Sequence, residues 1–270
     1  MRRTHLGLYL VPAAAVALLV PALLAPTAHA ASTRRAVAAG TTFAAGTTVA
    51  AGTTLAAGTT VAAWSFNQPS GGVVTDTTGR GHDAQADPTA PFFSFSLDPV
   101  LGRYVGLFEH DDGRVLIPAS ADLSPGSADF SIGITIKTVD DNGNTFQAGT
   151  TKPNQDFVKF EVADIYQHAI SGIPRCHFTG DASLAVGGYL ILGPQPINDG
   201  RWHTIRCQKT ANAIAMWVDG VVVNVRKVVI GTVDLSGSEW SIGGKYMPNM
   251  VTAPWDMFTG TVRDAYITHK

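Results

Sequence analysis

From about Ala62 to Lys270 the chain is a succession of short apolar or alternating runs broken by Gly, Pro, Asn and Asp, and no window of a dozen residues there carries helical periodicity. Such a pattern buries side chains only by stacking sheets, so it excludes bundles and parallel α/β folds and predicts an all-β sandwich or barrel. Phe130-Ser-Ile132-Gly-Ile134-Thr-Ile136 alternates apolar with small or polar residues, as a half-buried strand does. Asn142-Gly143 then predicts a two-residue hairpin turn, because both residues tolerate positive φ. Ile214 to Val218, Asp219-Gly220 and Val221 to Val225 form the strongest hairpin signal in the chain. About 200 residues of this kind are enough for one domain with a sizeable core.

Two different segments precede this region. Arg2 and Arg3, the apolar stretch Leu6 to Leu24 and Ala28-His29-Ala30 have the layout of a cleaved secretory signal peptide over residues 1–30. Pro12 and Pro21 interrupt the stretch and no basic stop-transfer flank follows it, so a retained anchor is the lesser reading. Residues 31–61 repeat a hexad led by Val37, Phe43, Val49 and Leu55. Four hexads are too few to stack a solenoid, so a flexible Ala/Gly/Thr linker is expected, with the folded domain at 62–270.

Export sets the expectations for chemistry. Cys176 and Cys207 are the only cysteines, and in an oxidising compartment they are expected to form one disulfide. The net charge of −2 becomes −4 once Arg2 and Arg3 leave with the leader, and no basic stripe exists, which argues against nucleic acid as a partner. No second apolar segment is long enough for a membrane span after cleavage, so a secreted, extracellular protein is expected.

Three segments resemble the laminin G-like and concanavalin A-like jelly-roll family, in its secreted bacterial type. They are Ala63-Trp64-Ser65-Phe66 with the following Asp76-Thr-Thr-Gly79-Arg-Gly81 turn; Asn198-Asp199-Gly200-Arg201-Trp202-His203-Thr204-Ile205 leading to Trp217-Val218-Asp219-Gly220; and Ser241-Ile242-Gly243-Gly244 followed by Phe258-Thr259-Gly260-Thr261-Val262. The resemblance implies an antiparallel two-sheet jelly-roll sandwich. Trp202, at a strand start, is expected in the core and His203 at the surface.

Many relatives place an acid in the closing strand where it meets the aspartate of the opening turn through calcium. Here that position carries Arg263, so Asp76 is expected to pair directly with Arg263, and Asp264 to face the other way by strand alternation. Two acidic turns, Glu109 to Gly113 and Asp140 to Asn144, offer oxygen ligands for calcium, but turn chemistry already accounts for them, and no cofactor is expected.

An enzyme is not expected. Retaining glycosidases need two carboxylates ~5 Å apart, and Glu109, Glu161 and Glu239 are each isolated. No nucleophile elbow, zinc helix or phosphate loop is present. The function read from the resemblance is therefore a non-catalytic module binding a polysaccharide or glycoconjugate, with Trp217, Tyr246 and Trp255 as sugar-stacking candidates. The alternatives are an extracellular protein-interaction module and a divergent hydrolase or lyase.

Overall fold

The computed structural model describes residues 58–140, 143–149, 155–163, 172–246 and 257–270. The leader and nearly all of the hexad repeats lie outside the described residues, as does Trp255. Among the described residues the chain is all-β: β1 (Thr59–Ser65), β2 (Val73–Val74), β3 (Ala84–Asp98), β4 (Arg103–Ile117), β5 (Phe130–Lys137), β6 (Gly143–Gly149), β7 (Phe157–Ala163), β8 (Ile173–Thr179), β9 (Tyr189–Leu192), β10 (His203–Lys209), β11 (Ala213–Val218), β12 (Val221–Lys227), β13 (Trp240–Ile242) and β14 (Gly260–His269). Two single-turn 3-10 helices interrupt them, and no described helix is long and apolar enough to cross a membrane.

Every strand pair is antiparallel, and the hydrogen-bonded path runs β12-β11-β10-β5-β14-β4-β13-β6-β7-β8-β9, with β1 on β14 and β3 on β4. The path folds over where the start of β14 meets β4 (Thr261 opposite Leu107). Its two ends then meet again, with Asn224 on β12 donating to the Leu192 carbonyl on β9 at 2.8 Å. The result is the two-layer jelly-roll sandwich. One layer holds β1, β14, β5, β10, β11 and β12, and the other holds β3, β4, β13, β6, β7, β8 and β9.

Period-two patterning fills the space between the layers. Ile132, Ile134 and Ile136 of β5 and Ile205 and Cys207 of β10 point inward, against Phe146, Phe160 and Phe178 of the other layer. Rings meet edge to face across the gap, Trp64 on Phe146 at 6.0 Å and Phe130 on Phe178 at 5.8 Å, which adds ~0.5–1.5 kcal/mol per pair to the burial. The Cys176–Cys207 disulfide ties β8 to β10, and hence one layer to the other.

One local expectation is met and three are not. The Asp219-Gly220 hairpin forms, with both residues at positive φ (51° and 80°). The hairpin expected at Asn142-Gly143 does not join β5 to β6: Asn142 lies outside the described residues, β5 pairs with β10 and β14, and β6 pairs with β7 and β13. A turn dipeptide sets local curvature, whereas pairing is decided by which strands complete the core. Glu109 to Gly113 lies inside β4 rather than in a turn. β1 begins at Thr59, so Thr59 to Val61 of the last hexad join the sheet against β14, because β-prone residues take up an available edge.

Candidate functional site

The outer face of the first layer is built from cross-strand rows that the sequence pattern alone cannot register. Strand pairing aligns Trp217, Arg206, Gly133, Tyr266 and Ala63 in one row, from β11 through β10, β5 and β14 to β1. The next row is Ala215, Gln208, Ser131, Thr268 and Thr60. Because Ile205 and Cys207 face the core, alternation sends Arg206 and Gln208 outward together.

Small residues at the centre shape this face. A Cβ at Gly133 would lie 2.1 Å from Tyr266 Cζ, so the glycine is what lets the phenol ring lie across β5 towards Arg206. Ser131 and Thr268 bond to each other at 2.7 Å, and Thr135 and Thr204 at 3.0 Å, which closes the hydroxyl rows on either side. Between Arg206, Gln208, Ser131, Tyr266, Thr268 and His269 a groove of about 220 Å³ opens.

Asp129, Arg206 and Lys270 are the charged residues that line this groove, and Arg206 is the half-buried cation among them. Its guanidinium lies 3.7 Å from the Trp217 ring centroid, a cation–π contact, and leaves Trp217 only 8% exposed. Among the described residues no carboxylate lies within ion-pair distance of it, and its Nε has no hydrogen-bond partner. Burial pulls its pKa below the usual arginine value. Burial likewise raises the Tyr266 hydroxyl, which stays a neutral phenol, and lowers His269, which stays a neutral imidazole near pH 7. Gln208 Oε1 and His269 Nε2 are also buried without partners, so three such atoms gather around one groove. Asp129 is the one carboxylate among the described lining residues, so no acid pair of the glycosidase kind stands there.

The candidates expected from sequence are dispersed. Trp217 does turn outward, but beneath Arg206 rather than bare. Tyr246 stacks on Arg114, 5.3 Å from ring centroid to guanidinium, and the hydrogen bond from its hydroxyl to Glu239, with burial second, raises the phenol's pKa. Arg114 in turn holds the buried Asp87 through its Nε at 2.8 Å, on the other layer. Trp202 is half-exposed rather than core, flanked by the cations of Lys137 (5.1 Å) and Arg263 (6.0 Å). His203 lies between Asp219 (2.8 Å) and Asp199 (3.1 Å); burial opposes its charge, but the two carboxylates prevail and hold its pKa above the ordinary value.

The expected Asp76–Arg263 ion pair is not formed. Asp76 is buried and accepts from the backbone N–H groups of Ala63, Thr78 and His82 and from the Thr78 hydroxyl, which together outweigh desolvation and lower its pKa. Arg263 instead donates from Nε to its neighbour Asp264 at 2.7 Å. The register of β14 slips between Val262 and Asp264, and that bulge breaks the alternation that would have put the two neighbours on opposite faces. No cluster of three metal-ligating side chains occurs among the described residues.

Arg206, Gln208, Gly133, Tyr266 and His269 were not singled out from sequence. The alternation of Arg206-Cys207-Gln208 carried part of the signal, but the register that brings β14 beside β5 and β10 did not show.

With this geometry in hand, comparison with known proteins is informative. Residues 136–270, half of the chain and all of the strands from β6 to β14, match the laminin G domain. The chain belongs to the laminin G domain family. No curated protein matches it in sequence. Domain 4 of AbnA, a GH43 extracellular arabinanase from Geobacillus stearothermophilus solved with arabinotriose, is similar in fold: TM-score 0.54, 12% identity, over 78% of this chain and 93% of that one. The binding domain of Paraclostridial mosquitocidal protein 1 aligns with TM-score 0.50 and 9% identity, over 77% of this chain and 47% of that one. Domains LG4-5 of the mouse laminin α1 chain align with TM-score 0.40 and 15% identity, over 56% of this chain and 42% of that one. The laminin G chain described here spans less than half of the latter two. At these identities the likeness is one of fold.

Proposed function

We propose that this laminin G protein is an exported, non-catalytic binding module that holds a glycan on the outer face of the β5, β10 and β14 layer. One observation carries the reading: Arg206, Gln208 and His269 line one groove, Arg206 stacked on Trp217, and each holds a buried polar atom without a hydrogen-bond partner. Buried polar atoms cost free energy unless bonded, and a sugar supplies hydroxyls that donate and accept at the spacing of such a row. The arabinanase domain, with its bound arabinotriose, offers a precedent for a sugar ligand on a similar fold. Tyr246, stacked on Arg114 of the other layer, and Trp255 are proposed as candidate contacts of a separate sugar site on the 245–257 segment. The disulfide and the leader pattern support export.

A protein partner is the second reading, favoured by the valines exposed along and just beyond β12, Val221, Val222, Val225 and Val229, each roughly half exposed or more. A glycan array probed with the full chain, followed by tryptophan-fluorescence titration of the hits, separates the two. Gln208→Ala is expected to weaken sugar binding about tenfold with the fold unchanged, as loss of a buried hydrogen bond predicts. Unchanged binding in Gln208→Ala, with loss in Trp255→Ala, would move the site to the 245–257 segment. An array without hits favours the protein partner.

A further inference from the structure

We propose that the groove over β5, β10 and β14 selects sugars that bear a carboxylate, with the acid seated on Arg206 and an adjacent hydroxyl on Gln208. This rests on the reading of the face as a glycan-binding surface and names the class of glycan.

Among the described residues, other buried or half-buried cations are compensated: Arg114 by Asp87, Lys137 by Asp98, Lys159 and Arg175 by Glu161, and Lys209 by the carbonyls of Ser127 and Ala128. Arg206 departs from this rule, in a groove, on a stacking platform. A guanidinium is the side chain best matched to a carboxylate, through two parallel N–H···O bonds, and the Trp217 face beneath it fixes its plane. Burial lowers the His269 pKa, and Lys270, which also lines the groove, is exposed, so the half-buried cation there is Arg206, with Asp129 the one carboxylate among the described lining residues.

The second unpartnered atom sharpens the class. Gln208 is 9% exposed, and its Oε1 requires a donor. Inorganic sulfate or phosphate would satisfy Arg206 and offer Gln208 no sugar hydroxyl, and a sulfate ester on a sugar presents a tetrahedral head in place of the planar carboxylate that matches the guanidinium fork. A neutral sugar would bond Gln208 and leave the guanidinium uncompensated. A uronic acid carries a carboxylate and hydroxyls on one ring and serves both, and Tyr266 and the Ser131–Thr268 pair border the same space with further hydroxyls. At about 220 Å³ the groove is below the ~300–1,000 Å³ of pockets that enclose a drug-sized ligand, which suits one ring of a longer chain.

The test is calorimetric titration of the full chain with oligogalacturonate, oligoglucuronate and oligomannuronate, each beside its methyl ester, and with dextran sulfate. At least one acid is expected to bind about tenfold more tightly than its ester, the scale of one charge-assisted hydrogen bond, and more tightly than dextran sulfate. Arg206→Gln is expected to bring acid and ester within about twofold, while Gln208→Ala weakens both alike and keeps their ratio. If Arg206→Gln does not fold, Arg206→Lys retains charge and stem and is expected to lose the preference in part, since the fork is gone. Acid and ester binding equally to the intact chain would overturn the carboxylate inference and leave the glycan reading standing. So would dextran sulfate matching the uronates. Absence of binding by any acid, ester or neutral glycan would overturn both.

Discussion

On the outer face of the second layer, Lys159, Glu161 and Arg175 sit side by side on β7 and β8 and share one buried carboxylate, with Lys159 Nζ 2.8 Å from Glu161. On the outer face of the first layer, Arg206 occupies a comparable cross-strand row, flanked by Trp217 and Gly133, and no described carboxylate reaches it. Both place an arginine on the outward face of an antiparallel pair, beside Glu161 in one case and between Trp217 and Gly133 in the other. They differ in whether the protein satisfies its own charge. A row that closes on itself holds strands together; a row left open has affinity to spare for something outside the chain.

The largest test of this contrast is Glu161→Gln, which strands two largely buried cations next to each other. Urea denaturation is expected to show a loss of about 3–5 kcal/mol, the range for breaking a buried pair from one side. A loss under ~1 kcal/mol would mean that the second row is no more closed than the first. The carboxylate's sign agrees: Lys159 and Arg175 overcome desolvation and depress the Glu161 pKa, so its contribution is present above the unfolded carboxylate range and disappears as pH falls through the folded value.

Next in size is the double variant Cys176→Ser, Cys207→Ser. The bridge joins the layers directly beneath the groove, since Cys207 lies between Arg206 and Gln208. Its removal is expected to cost about 3–4 kcal/mol for a loop of this length. Hydrogen exchange of the β10 amides should accelerate more than that of the β6 amides if the groove depends on the tie.

Histidine titration separates the layers further. His177, beside Lys159 on the second layer, is pushed down to about 4 by burial first and by the lysine charge second. The unfolded chain therefore takes up a proton that the folded chain refuses: stability is complete above about pH 6.5 and falls by about 2–3 kcal/mol as the pH drops towards 4. His203 on the first layer has the opposite sign, its contribution being present below its unfolded pKa and lost as pH rises through the raised folded value. His177→Asn should remove the acid-side loss in a series of urea midpoints taken against pH.

The smallest expected effect is the most discriminating. Arg206→Met keeps the stem on Trp217 but removes an uncompensated charge, so stability should be unchanged or rise by up to about 1 kcal/mol. A loss above ~2 kcal/mol in the same denaturation assay would show that Arg206 serves the fold and would close the open row.

Much of this protein can be read from its residues in order. Ile132, Ile134 and Ile136 mark a strand with one face in the core, Asp219-Gly220 marks the hairpin, and two cysteines in candidate strands mark the bridge. The same rules misplace Gly143, because a turn-prone dipeptide does not say whether the chain returns to the strand it left. They misplace Arg263, because alternation fails at a bulge. Trp202 misleads for a related reason, since a bulky aromatic at a strand start finds cover from Lys137 and Arg263 at the rim without entering the core.

What the sequence by itself determined is therefore the alternation: all-β, which residues of each strand share a face, and that Arg206 and Gln208 leave β10 together on the side away from Cys207. What only the tertiary structure decided is who stands beside them. Strand register is a long-range choice, made by the packing of the whole core, and it set Trp217 on one side of Arg206 and Gly133 with Tyr266 on the other. No described carboxylate was brought within ion-pair distance of that guanidinium.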